Sequence, residues 1–243
     1  MAKPKIEEEI VEVVIPEEEE PVKVNLTDFD LSSWTPKTQL GKKVKEGEIR
    51  DIRDIIDKGF VIRESEIVDA LVAGLDNDLL MIGQSKGKFG GGARRVFRQT
   101  QKKTREGNKP KFATMAIIGN KNGLVGMGYG KAKETIPARE KAVRNAKLNM
   151  IYVNRGCGSW ECSCNEGHTV PFKVSAKCSS VIVTLMPAPK GTGLKIEKEC
   201  AKILKLAGIK DVWSRTTGQT VTKINLVKAC FGALKKISET KVK

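Results

Sequence analysis

KFATMAIIGNKNGLVGMGYGKAKETIPAREKAVRNAKLNMI, residues 111–151, decides the fold. Phe112 to Ile118 is an apolar run of strand length. Asn120-Lys121-Asn122-Gly123 reads as a hairpin turn, because Asn and Gly tolerate positive φ. Leu124 to Tyr129 returns as the next strand. A helix is expected from Glu134 to Tyr152, with Pro137 acceptable in its first turn. Ile136, Val143, Ala146 and Met150 recur at helical spacing along one side, while Arg139, Arg144 and Lys147 can point elsewhere.

Upstream, Val96 to Lys103 alternates loosely as a further strand, and Thr104–Pro110 reads as a basic turn. Residues 84–94, QSKGKFGGGAR, are glycine-rich and basic, which predicts a flexible loop. Residues 48–58 and 64–75 read as short helices; in the second, Ser65 can cap and Ile67, Leu71 and Val72 share a face. The order is therefore helix, three antiparallel strands, helix. That is the arrangement of double-stranded-RNA-binding modules, which read A-form shape through 2′-hydroxyl and phosphate contacts.

Downstream, residues 156–169 form a cysteine- and glycine-rich insertion, and a second unit begins near Val170. Pro171–Cys178 and Ser179–Met186 read as strands and Pro187–Gly193 as a loop. Leu194–Ala207 reads as a helix stopped by Gly208. Ile209–Ser214 is a further candidate strand. Val221–Ser238 is a last helix with Ile224, Val227, Phe231, Leu234 and Ile237 on one face. The class is α+β. Its expected parts are an acidic extension (1–36), a helical region (37–83), a double-stranded-RNA-binding-like domain (84–155), a Cys/His insertion (156–169) and a C-terminal layered α/β domain (170–243).

Charge narrows the partner. The chain carries 44 Lys and Arg against 29 Asp and Glu, a formal net charge of +15. Residues 1–36 hold ten acidic and three basic side chains, too polar to bury a core. Between Gln84 and Arg155, 18 basic residues face only Glu106, Glu134 and Glu140. Charge concentrated in this way is the footprint of a polyanion-binding surface. No apolar run of membrane-spanning length occurs, and the N-terminus lacks the apolar region of a secretory signal. A cytosolic setting is expected, in which six cysteines serve as buried thiols or metal ligands before disulfides.

Four constellations could carry chemistry. The first is the basic hairpin, with Lys86, Lys88, Arg94, Arg95, Arg98, Lys102, Lys103, Arg105, Lys109 and Lys111. Arg forks fit phosphate oxygens and Lys acts as a point charge; the alternative is a basic loop with no fixed target. Phe89, Phe97 and Phe112 interleave with these cations. The second is GMGYGK, Gly126–Lys131, a poor dinucleotide fingerprint because a hairpin return precedes it. Its glycines suit close packing and backbone approach to RNA. Lys121 tops the adjoining turn, and Lys131 and Lys133 precede a helix N-terminus, which favours phosphate. The third is PAPKGTG, Pro187–Gly193, a phosphate cradle with Lys190 or a plain turn. The fourth is Cys157, Cys162, Cys164 and His168, four ligands within twelve residues that suit a structural zinc. Its alternative is reduced thiols with His168 packing locally or meeting RNA. Cys178 could replace one ligand, and Cys200 and Cys230 fall at core positions of helices. No catalytic set emerges.

Residues 111–151, VIVTLMPAPKGTGLK (181–195), LKLAGIKDVWSRTTGQT (204–220) and INLVKACFGALKKI (224–237) resemble, in collinear order, the small-ribosomal-subunit protein S-five family. The acidic extension and GCGSWECSCNEGHTVPF (156–172) resemble the archaeal form. The resemblance implies a double-stranded-RNA-binding-like domain and an α/β two-layer sandwich with a left-handed βαβ crossover. It implies contacts with small-subunit ribosomal RNA and the neighbouring proteins S-four and S-eight. It also implies roles in assembly, decoding accuracy and the messenger RNA entry path. The family's RNA-contacting loop falls on KKTREGNKPK, Lys102–Lys111. Two rivals stand beside this reading: a phosphoryl-transfer enzyme using the Pro187–Gly193 loop, which lacks magnesium carboxylates and a base, and a free-standing RNA chaperone.

Overall fold

The computed structural model describes residues 34–84, 94–164 and 166–240. Its first part runs α1 (Gln39–Lys45), α2 (Ile52–Asp57), α3 (Glu66–Leu71), β1 (Asp76–Leu79), β2 (Arg98–Thr104), β3 (Gly107–Gly119), β4 (Leu124–Ala132), α4 (Thr135–Leu148) and β5 (Met150–Tyr152). The strands form one antiparallel sheet ordered β1-β3-β4-β5, with β2 also paired to β3. Because β1 takes residues 116–119 of β3 and β2 takes 107–113, the two lie end to end along one edge of the same long strand.

The period of two places Met115, Ile117, Val125 and Met127 on one face of this sheet and Thr114, Ala116 and Ile118 on the other. The second face carries Gly126, Gly128 and Gly130, and α4 lies on them. A Cβ added at Gly126, Gly128 or Gly130 would meet the carbonyl oxygen of Ala146, Ala142 or Ala138 at 2.3, 2.2 and 2.2 Å. Two residues of strand (about 6.8 Å) nearly match four residues of helix (about 6 Å), so glycines at i, i+2, i+4 meet alanines at i, i+4, i+8 in reverse order. This seam corrects the expected apolar stripe. Ile136 is 69% exposed, and the buried side of α4 is Ala138, Ala142 and Ala146. The helix also ends at Leu148, not Tyr152: Asn149 caps it, and Met150–Tyr152 join β4 as β5, opposite Gly126 to Leu124.

The opposite face packs against the second part of the chain, β6 (Val174–Cys178), β7 (Val181–Pro187), β8 (Leu194–Lys195), α5 (Lys198–Leu206), β9 (Val212–Thr217) and α6 (Lys223–Glu239). Its sheet is ordered β6-β7-β9-β8, antiparallel except for the β8/β9 pair. Leu194 and Lys195 were expected in a helix. They pair instead with Val212 and Trp213, and the helix begins after Glu197, whose carboxylate accepts from the Glu199 and Cys200 amides. The strand expected at Ile209–Ser214 is displaced for the same reason, since its ladder partners begin at Val212. Val181, Val183 and Leu185 are buried toward the helices, and Ile182 and Trp213 stay partly open on the other side. The expected face of α6 holds at Val227, Phe231, Leu234 and Ile237.

The two sheets share one core. Met115, Ile117, Val125 and Met127 belong to the same buried cluster as Leu185, Ile203, Leu204 and Leu234. Polar contacts stitch the seam. The Leu206 and Ala207 carbonyls, left open at the end of α5, accept from the Lys121 and Gly123 amides of the β3–β4 turn at 2.9 and 3.1 Å. Buried Glu199 accepts from the Met81 amide at 2.9 Å. A smaller core gathers Trp34, Val44, Ile55, Ile67 and Val68 of the N-terminal helices with Leu124 and Met150. The helices expected at 48–58 and 64–75 are shorter, α2 and α3, and Ser65 makes no side-chain capping bond. No helix among the described residues is long and apolar enough to cross a membrane.

Candidate nucleic-acid interface and Cys/His cluster

The β2–β3 hairpin is tighter than expected. Thr104 pairs with Gly107, so the turn is Arg105-Glu106 alone, and Gly107 takes the positive φ (+112°) that closes it. Lys109 and Lys111, expected within or beside a long turn, are therefore strand residues with a fixed face. Opposed residues in an antiparallel ladder point the same way. Arg98 opposes Ala113, Thr100 opposes Lys111, and Lys102 opposes Lys109. Ala113 in turn opposes Lys131 on β4. One face thus gathers Arg98, Lys102, Lys109, Lys111 and Lys131, all exposed. The other face carries Lys103 opposite Asn108, with Gln99 and Gln101.

Like charges directly opposed are unfavourable, and the Lys102/Lys109 pair is such a case. The hairpin's acid, Glu106, reaches Lys109 at 2.6 Å, and both side chains stay exposed. Tyr129 opposes Met115 on this same face and is 39% exposed, an aromatic beside the cations that sequence reading passed over. Phe112 and Phe97 are half-buried. Lys133 lies exposed just before α4, whose N-cap Glu134 makes no side-chain capping bond.

The remaining cations are dispersed. Arg94 donates to the Val221 carbonyl at 3.0 Å, and Arg95 is exposed. Lys121, with φ +57° at the β3–β4 turn, pairs with Asp76 at 2.5 Å. Lys190 pairs with Glu166 at 2.8 Å. Lys86 and Lys88, with Phe89, lie outside the described residues, as does the acidic extension as far as residue 33.

The four expected metal ligands do converge. Gly156 bridges to Thr169 and closes the insertion into a loop. Within it the Cys157, Cys162 and Cys164 sulfurs and a His168 nitrogen all lie within 4.8 Å of one another. Cys162 Sγ is 3.1 Å from Cys164 Sγ and 3.6 Å from His168 Nε2, and Cys164 Sγ is 3.6 Å from Cys157 Sγ. A tetrahedral zinc with bonds of about 2.3 Å to sulfur and 2.0–2.1 Å to nitrogen spaces its ligand atoms about 3.5–3.8 Å apart. The donor set suits that ion; the two 3.6 Å separations match this spacing, and the 3.1 Å between the Cys162 and Cys164 sulfurs is shorter than a bound ion would leave. Hydrogen bonds from the Cys164 thiol and the Lys190 amide hold the Cys162 thiol down at about 6. Lost hydration and the neighbouring thiols push Cys157 up to about 11. Cys178 is no part of the cluster. Cys200 and Cys230 are fully buried, as expected, and their mutual contact raises the Cys200 thiol.

Asp211 completes the cluster and was missed. Its Oδ2 lies 2.9 Å from His168 Nδ1, and both side chains are almost fully buried. Its Oδ1 accepts from the Gly191 and Gly193 amides at 3.1 and 2.7 Å. Those are the amides expected to cradle a phosphate in the Pro187–Gly193 loop; they are engaged by Asp211 instead. The sequence held only a weak signal. Asp211 is the sole acidic residue between Glu199 and Glu239, and only the fold brings it to His168.

Two family models match the chain: "Ribosomal protein S5, N-terminal domain" over residues 96–154 and "Ribosomal protein S5, C-terminal domain" over 176–242. Among curated proteins, the chain is 49% identical over 213 residues to "Small ribosomal subunit protein uS5" of Nanoarchaeum equitans, covering 88% of this chain and 91% of that one. The protein of the same name from Methanobrevibacter smithii is 49% identical over 213 residues, 88% of this chain and 93% of that one. That of Pyrobaculum islandicum is 47% identical over 206 residues, 85% and 95% of the two chains.

Proposed function

The chain belongs to the ribosomal protein S5 family, and from that premise we infer that it is a structural constituent of the small ribosomal subunit, with no catalytic role. The observation that carries this is identity of nearly half over most of both chains to proteins named for that particle. Residence in the cytoplasmic small subunit, in contact with ribosomal RNA and other ribosomal proteins, follows from the same membership.

The finer reading rests on the hairpin. Arg98, Lys102, Lys109, Lys111 and Lys131 act as one phosphate-binding face, because their charges lie together and are largely uncompensated within the fold. Lys103, Arg105 and Lys133 flank it, and Tyr129 adds a surface on which a base or ribose can pack. Arg94, Arg95, Lys121 and Lys190 make outlying contacts, as do Lys86 and Lys88. An antiparallel sheet crossed by α4 is read as a double-stranded-RNA-binding-like module that senses A-form shape. The β8–α5–β9 unit is read as the left-handed crossover of the layered C-terminal domain. S-four, S-eight and messenger RNA near its entry path are the neighbours we assign, with support of assembly and decoding accuracy as the role. The Cys/His cluster holds a structural zinc, supported by four ligand atoms gathered within 4.8 Å of one another.

The test is sedimentation of a lysate through a high-salt sucrose gradient. Co-migration at about one copy per small subunit is expected, because a seat shared with neighbouring proteins holds the chain after salt has weakened its phosphate contacts. Retention in the light fractions would overturn the reading.

A further inference from the structure

The Cys/His cluster and the Pro187–Gly193 loop touch at several points that a metal knuckle alone does not require. The Ala188 amide donates to the Thr169 hydroxyl at 3.3 Å, next to His168. The His168 carbonyl accepts from the Lys210 and Asp211 amides at 2.9 and 3.2 Å. Asp211 itself divides its carboxylate, one oxygen to His168 Nδ1 and the other to the Gly191 and Gly193 amides.

Imidazole can ligate a metal through Nε2 only when the neutral ring carries its proton on Nδ1. Nε2 is the nitrogen turned toward the Cys162 sulfur. A carboxylate accepts and cannot donate, so Asp211 requires the proton on Nδ1. Carboxylate partners of ligating histidines orient the ring in this way and tune metal affinity.

We propose that Asp211 is the positioning residue of this cluster, fixing His168 in its metal-binding tautomer while clamping the Gly191 and Gly193 amides, so that metal binding and order in the Pro187–Gly193 loop are one equilibrium. This rests on the zinc reading above. The bound ion holds the imidazole, the imidazole holds the carboxylate, and the carboxylate holds the loop that places Lys190. The Asp211→Asn variant separates these duties. Its amide oxygen can still accept from the two glycine amides. Its NH2 group, turned to His168, donates to Nδ1 and drives the ring proton onto Nε2, where it blocks the metal.

The experiment uses the purified full chain, stripped by a chelator and titrated with cobalt(II) and zinc. Amide hydrogen exchange is followed over residues 187–193, and the His168 ring nitrogens by NMR. Wild type is expected to bind about one ion with a thiolate–cobalt spectrum, and zinc should slow loop exchange at least tenfold. Asp211→Asn is expected to keep its circular dichroism, weaken zinc binding about 10–100-fold, and show loop exchange that no longer responds to zinc. Wild-type zinc affinity in Asp211→Asn, or wild-type loop exchange indifferent to chelation, would overturn the coupling and leave the zinc site standing. Failure of the wild type to bind either ion would overturn the zinc site and the coupling with it. Should Asp211→Asn not fold, the wild-type His168 ring signals decide: a ring proton on Nδ1 in the metal-free chain is expected, and one on Nε2 would overturn the proposal.

Discussion

The two halves of β3 are one strand with two fates. Residues 113–119 are buried, held between α4 on one face and the C-terminal core on the other. Residues 107–111 stand out from the body, paired on one side to β2, and are exposed. The inner half is specified by what it touches. The outer half carries lysines opposed to a lysine and, through Ala113, neighbours another on β4. Apolar packing on both faces specifies the inner half, and the outer half leaves its cations exposed in a fixed geometry.

The largest effect that would sharpen the contrast is expected at Gly128, on β4 beside the inner half. Even one Cβ there meets the Ala142 carbonyl oxygen and the Ala146 nitrogen at 2.2 Å, and both are backbone atoms that cannot rotate away. Gly128→Val should cost about 3 kcal/mol or more, read as a collapse of the urea midpoint. A midpoint near wild type would mean that α4 can lift off the sheet and that the seam does not define the fold.

Next in size is the charge face of the outer half. Reversal of Lys102, Lys109 and Lys111 together to Glu should leave the urea midpoint close to wild type. It should lower the log–log salt slope of ribosomal RNA binding by about 2–3, near 0.9 for each lost phosphate contact. Lys103→Glu, on the opposite face, should leave the slope nearly unchanged. Equal losses per residue on the two faces would show that net charge, and not the ladder's geometry, governs binding.

The smallest expected effect is also the most diagnostic in sign. Lys102→Glu alone turns the like-charge pair with Lys109 into an attractive one. The unfolding midpoint should rise slightly while RNA binding weakens. A fall in both would mean that Lys102 is held by contacts within the fold, contrary to its exposed position.

Much of this was legible beforehand. The apolar run at Phe112–Ile118 and the Asn120–Gly123 turn identify the central hairpin without help, because strand period and turn chemistry are local. Cys157, Cys162, Cys164 and His168 were legible as a group because all four lie within one short loop. Failures came where a distant partner settled the matter. Leu194 and Lys195 continue a helical pattern, yet Val212 and Trp213 draw them into a ladder. Ile136 fits a helical stripe, yet the face turned to the glycines can admit only alanine.

Sequence by itself therefore determined the class of fold, the basic character of the 84–155 region and the grouping of three cysteines with His168, since period, charge and short spacing are properties of the chain. Tertiary structure decided which cations share a face, through the β2–β3–β4 register. It also decided that Asp211 reaches across 43 residues to His168, and that two sheets share one core. Those are pairings between distant segments. They are selected only when the whole chain buries its apolar surface at once and buried polar groups such as His168 and Asp211 must find partners there.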